Sequence, residues 1–130
     1  CVFPARQQES FQRTDLTGAN LAEIDLTDAD LSLATLTDAN LERATLTDAD
    51  FSYAELSGAS FARAIDVETA NFEGAWAWRD HPPTGLTIEI DWCPVAERGN
   101  WQALSHREQV IQGQPIGCRP ASEWLDREGE

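Results

Sequence analysis

Lysine and methionine are absent from the 130 residues, and all nine basic side chains are Arg. Against them stand 23 Asp and Glu, for a formal charge of −14. That sign disfavours direct nucleic-acid binding, since phosphates would be repelled. No apolar run approaches the roughly twenty residues needed to cross a bilayer. Catalytic signatures are missing as well: there is no G-x-S-x-G, H-E-x-x-H, phosphate-binding glycine loop or G-x-G-x-x-G. His81 stands beside two prolines and His106 on a short polar face, and both read as surface histidines. Carboxylates abound, but regularly spaced exposed ones lack the desolvation that separates an acid from a base. The chain therefore reads as a non-enzyme with no cofactor and no metal.

Cysteine is scarce, at three residues. Cys93 and Cys118 read as a disulfide if the chain works outside the cytoplasm, where closing that loop contributes roughly 3–4 kcal/mol on the chain-entropy model. Two free thiols in a cytosolic chain, or a zinc site with His81 and His106, are the alternatives. Zinc would call for closely spaced ligand pairs, and neither Cys belongs to one. Cys1 opens the chain ahead of the polar run Arg6-Gln7-Gln8-Glu9-Ser10, and no initiator Met precedes it. A processed bacterial lipoprotein begins this way, with a lipidated Cys and a tether over residues 1–10. The bland alternative is a boundary that happens to fall at Cys.

What the chain has in abundance is a period of five. Phe11, Leu16, Leu21, Leu26, Leu31, Leu36, Leu41, Leu46, Phe51, Leu56 and Phe61 recur without a break. Two positions ahead of most of them stands a small residue, such as Ala19, Ala29, Ala39, Ala49 or Ala59. Neither the helical period of 3.6 nor the strand period of 2 fits. A unit this short buries an apolar face only by stacking on its own copies. Blocks such as LTGAN, LTDAD, LTDAN and LSGAS resemble the pentapeptide-repeat family, whose consensus is A(D/N)LxX, over about half the chain. The resemblance implies an all-β fold, a right-handed quadrilateral β-helix with four pentapeptides per turn and about three turns in all. Leu or Phe and the preceding Ala would point inward and the other three positions outward. Residues twenty apart would stack: Leu16, Leu36 and Leu56 in one column, Leu21, Leu41 and Phe61 in another. Continuing by fives would put Asp66 inside, so one inserted residue, a bulge near Asp66, must restore the register at Val67 and Phe72.

Residues 11–76, the repeat domain, hold thirteen acids and three Arg. Asp28 and Asp48 fall on one side and Asp38 on the opposite one, with Asp30 and Asp50 on a shared corner. Two readings compete for them. Ordered carboxylates could imitate a phosphate backbone, as family members do when they occupy the DNA site of a type II topoisomerase. Alternatively, Asp and Asn satisfy turn geometry through local backbone hydrogen bonds and keep the repeat soluble. Length favours the second, since three turns span only roughly 15 Å. The Thr of each block (Thr17, Thr27, Thr37, Thr47) should have its hydroxyl on a neighbouring turn or in solvent.

Residues 77–130 read as a Trp-rich cap. Trp76, Trp78, Trp92, Trp101 and Trp124 are all of the tryptophans, and they serve either as core of a small cap or as a partner surface. Pro82-Pro83 and Gly85 mark a turn. Leu86 to Trp92 alternates as a half-buried strand, and Asn100 opens a helix from Trp101 to about Gln112 that stops at Gly113. Together these features point to a structural or protein-binding module, an extracytoplasmic, lipid-anchored accessory of a membrane-associated complex. Its partner would be a protein, met through Asp28, Asp30, Asp38, Asp48, Asp50, Trp78, Trp92 and Trp101. The alternative is an acidic DNA mimic acting on a type II topoisomerase.

Overall fold

The computed structural model describes residues 12–86 and 88–120. Cys1 with its tether, Phe11, Thr87, Trp124 and the charged end of the chain lie outside the described residues.

Each pentapeptide folds as one tight turn. The Ala amide donates to the carbonyl of the Leu three residues earlier, as from Ala39 to Leu36 at 3.0 Å. The residue before that Ala takes a left-handed conformation, with φ of 63° at Glu23, 61° at Asp28 and 60° at Leu33 and Asp38. Asp and Gly tolerate that region best, which is why the third position of LTDAD and LSGAS reads Asp or Gly. The backbone returns to hydrogen-bonding register one tier later. Single-residue parallel bridges run Asp15–Thr35–Glu55–Trp76, Asn20–Asn40–Ser60–Thr84, Asp25–Thr45–Ile65 and Asp30–Asp50–Asn71. Leu21 and Leu41 amides each donate across such a step at 2.7 Å.

The tiers bury the periodic side chains almost completely. Leu26, Leu31, Leu36, Leu41, Leu46, Leu56, Phe51 and Phe61 have no exposed surface, and the inward Ala residues from Ala29 to Ala59 are at most 1% exposed. Each such Leu or Phe contributes about 1.5–3 kcal/mol of transfer free energy. Phe51 and Phe72 stack with centroids 4.9 Å apart, and Phe61 meets both edge-on. The extra residue sits where expected. Asp66 turns outward with φ 60° and opens a short 3-10 turn over Val67–Thr69, Val67 is buried, and Asp50 pairs with Asn71. Two outward positions are nevertheless buried, Ser32 and Ser57.

The expectation of an all-β chain is corrected. Among the described residues the regular strands are three short segments, β1 (Trp76–Trp78), β2 (Asp91–Cys93) and β3 (Arg119–Pro120), and they form one open sheet in the order β1-β2-β3. β2 pairs parallel to β1 and antiparallel to β3. Two α-helices, α1 (Arg98–Ala103) and α2 (His106–Gln112), make the described residues a mixed α/β fold. The strands therefore do not close into a β-helix. The physical reason is the left-handed residue in almost every pentapeptide, which interrupts extended backbone and leaves one residue per unit free to pair.

The cap differs from its sequence reading in two further respects. The anticipated strand begins only at Asp91; Leu86, Ile88 and Ile90 precede it in irregular backbone while still packing on the repeat core. The single helix from Trp101 is two helices, because Ser105 interrupts it. Ser105 accepts a bond from the Glu108 amide at 3.2 Å, and the Glu108 carboxylate accepts from the Ser105 amide at 2.8 Å. This capping box restarts the chain as α2. Asn100 lies inside α1, not at its start, and Gly113 ends α2 with φ 86°.

Candidate functional site

The cap does not lie flat on the repeats. Between them is a cavity of about 580 Å³, with Thr35, Thr37, Tyr53, Glu55 and Ser57 on the repeat side. Trp76, Trp78, Arg98, Trp101, Gln109 and Val110 face them from the cap, with Asp80, His81 and His106 also on the lining. Side-chain contacts hold the two sides together. His81 Nε2 meets Asp38 Oδ1 at 2.7 Å. Gly58, at φ 70°, lies under that pair, and a side chain there would displace it. The Trp78 amide donates to Ser57 Oγ at 2.9 Å, tying β1 to the repeats. Within the cap, Cys93 and Cys118 form a disulfide, so neither is a free thiol nor a zinc ligand.

Glu55 is the unusual member of this lining. It occupies the bridging position between Thr35 and Trp76 and shares the cavity lining with Trp76, Trp78 and Trp101. Burial pushes its carboxyl above the ordinary value, opposed by hydrogen bonds from Ser57, Thr37 and Trp78 and, least, by the charge of Arg98. Arg98 itself pairs with Asp80 and lies with its guanidinium carbon 5.2 Å from the centre of the Trp78 ring. Sequence reasoning passed over Glu55, which stands in an ordinary FSYAE block. The one available signal is that Trp76 falls on its column once the inserted residue is counted.

The carboxylates singled out from the sequence do not converge. Asp28, Asp38 and Asp48 hold left-handed turn positions. Asp30 Oδ1 accepts from the Ser32 amide at 3.0 Å, and Asp50 Oδ1 from the Ser52 amide at 2.9 Å. Backbone geometry accounts for these acids without a partner. Thr17 and Thr27 bond Asp15 and Asp25 two residues back at 2.6 Å, not a neighbouring tier. Those hydroxyls hold both carboxyls below the usual range. Thr47 does reach across, to Asp66 at 2.7 Å.

Of the tryptophans proposed as surface, Trp78 is 5% exposed and belongs to the core. Trp101 is half-buried and packs edge-on against Trp76 at 5.4 Å, and Trp92 is half-buried against the repeat core. Among the described residues no group of three or more His, Cys, Asp or Glu is placed to hold a metal ion, and no helix is long and apolar enough to cross a membrane.

The family model for pentapeptide repeats matches residues 10–48 and 29–65 in 8 copies. The chain belongs to the pentapeptide-repeat family. HetL, a pentapeptide-repeat protein involved in heterocyst differentiation regulation in Nostoc sp. strain PCC 7120, is 28% identical with a TM-score of 0.42, over 51% of this chain and 31% of its own. Rfr23 from Cyanothece 51142 is 29% identical with a TM-score of 0.36, over 56% of this chain and 52% of its own. A pentapeptide-repeat protein of the Arabidopsis thaliana thylakoid lumen is 26% identical with a TM-score of 0.37, over 61% of each chain. This pentapeptide-repeat chain thus spans less than two thirds of each of these relatives. No curated protein matches its sequence.

Proposed function

We propose that this pentapeptide-repeat protein is a rigid protein-binding module that works outside the cytoplasm as an accessory of a membrane-associated complex. The observation that carries the reading is the Cys93–Cys118 bond, which ties β2 to the segment that leads into β3. Stable disulfides accumulate in oxidising compartments. The bond braces a cap with little regular structure, and the cap frames a cavity against the repeat face. A stiff scaffold with one preformed concave site suits recognition, not chemistry. Anchoring through a lipid on Cys1 belongs to the same reading, although Cys1 lies outside the described residues.

Two measurements on the native protein test this. Its intact mass should gain two hydrogens on reduction, and an acyl mass should appear on Cys1. In a gently solubilised membrane extract it should sediment well above its own 14.4 kDa. Free thiols in the native chain would overturn the compartment, and sedimentation as a lone chain would overturn the accessory role.

A further inference from the structure

The cavity carries one charged group at its repeat-side wall, and the surroundings of that group define what is missing from it. A carboxylate offers about four lone-pair positions. The polar groups acting on Glu55 at close range are the Ser57 and Thr37 hydroxyls and the Trp78 indole. All three are neutral, so they satisfy acceptor positions and leave the charge unbalanced. Arg98, the nearest cation acting on it, is engaged by Asp80 and the Trp78 ring. A carboxylate with no cation of its own therefore faces the cavity.

We propose that the cavity receives a primary ammonium group on an alkyl stem, such as a lysine side chain of a partner protein, with Glu55 as its counter-ion. A compact ammonium reaches the carboxylate from within the cavity, whereas the place of a guanidinium over the Trp78 ring is already held by Arg98. The stem lies along Trp101 and Val110, as the methylenes of a lysine lie along apolar surface. Aromatic rings near a cation add to the attraction. Arg98 over Trp78 shows that this wall already accepts a cation between an aromatic face and a carboxylate. A net charge of −14 draws cations towards the molecule and rejects anionic ligands. The lysine assignment rests on the binding-module reading; the ammonium site does not.

The test is a tryptophan-fluorescence titration of the full chain with N-acetyl-lysine amide. N-acetyl-arginine amide, the side-chain-acetylated lysine amide and the alkyl diamine cadaverine are run beside it. The lysine amide should bind at least about tenfold more tightly than its acetylated form, the size of a charge-assisted hydrogen bond to a buried carboxylate. Glu55→Gln should erase that preference with no loss of melting temperature, which separates loss of the site from loss of the fold. Arg98→Ala should tighten binding severalfold by freeing the Trp78 face. Equal binding of the free and acetylated amides, preference for the arginine amide, or a preference that survives Glu55→Gln would each overturn the site. Binding of cadaverine alongside the lysine amide supports it. If the site binds ammonium while the native chain sediments alone, the ammonium site stands and the protein-partner reading falls.

Discussion

Glu55 and Leu36 mark the two extremes that a residue meets in this stack. Leu36 has no exposed surface, and Leu36→Asp would place a carboxylate in an apolar column with no donor. That costs several kcal/mol, enough to unfold a small domain; circular dichroism should show the loss of native signal at room temperature. Glu55 is a natural carboxyl that is half-buried, and its donors only reduce the penalty. Because its pKa is raised, the folded chain holds that proton more firmly than the unfolded one. Between the ordinary value of 4.5 and the raised one, stability therefore falls as pH rises. Above that window the ionised group destabilises the fold in full. Glu55→Gln should accordingly raise the melting temperature at neutral pH, with the gain vanishing below the ordinary carboxyl range. Asp15 and Asp25 act in the opposite sense. Their pKa values are lowered by Thr17 and Thr27, so their small contributions persist at neutral pH and fade on acidification. A gain for Glu55→Gln that stayed constant with pH would show that packing, not charge, sets it.

At the scale of elements, the two halves of the chain obey different rules. The repeats are organised by a five-residue turn whose inward Leu or Phe recurs without a break and whose left-handed residue is Asp or Gly in every second unit, from Gly18 to Gly58, so the buried columns and the slip at Asp66 can be read residue by residue. The cap has no period. Its first helix ends where Ser105 offers the backbone a cap, and that reciprocal pair with Glu108 defines α2. Ser105→Ala should destabilise the cap by about 1 kcal/mol, and amide exchange should quicken over His106–Gln112 while Leu36 and Leu41 stay protected. Uniform acceleration across both regions would mean that cap and repeats unfold together. The motif Ser105-His106-Arg107-Glu108 was present in the sequence as a start signal, yet the apolar edge of Trp101, Leu104 and Ile111 suggested one continuous helix. The class assignment failed for a related reason. Periodicity locates the inward side chains, but it does not say whether one paired residue per turn amounts to a strand. Glu55 escaped notice because its environment is made by Trp76, Trp78 and Arg98, which reach it only through tertiary contacts. The disulfide was legible because few cysteines leave few pairings.

For the molecule as a whole, charge is the term still unbalanced. The chain carries 23 acids and nine Arg. Asp30 and Asp50 bridge directly, and bridged residues in adjacent tiers are about 4.8 Å apart. The Debye length is about 10 Å at 0.1 M salt, so carboxylates in neighbouring tiers repel one another at low ionic strength. Against this, the ion pairs Arg43–Glu23 and Arg98–Asp80 are at least partly exposed, and such pairs contribute little. Screening should therefore remove more repulsion than attraction. The melting temperature should rise by a few degrees between about 0.01 M and 0.3 M sodium chloride, a change of about 1 kcal/mol for a chain of this size. Chloride at these concentrations is the right probe, because sulfate stabilises by exclusion from the surface whatever the charge. The rise should flatten once the Debye length falls below the tier spacing, at about 0.4 M. A melting temperature that fell with salt would mean that the few ion pairs outweigh the stacked carboxylates. The acids would then be a paired surface, and the field that draws an ammonium group toward Glu55 would be much weaker than the formal charge implies.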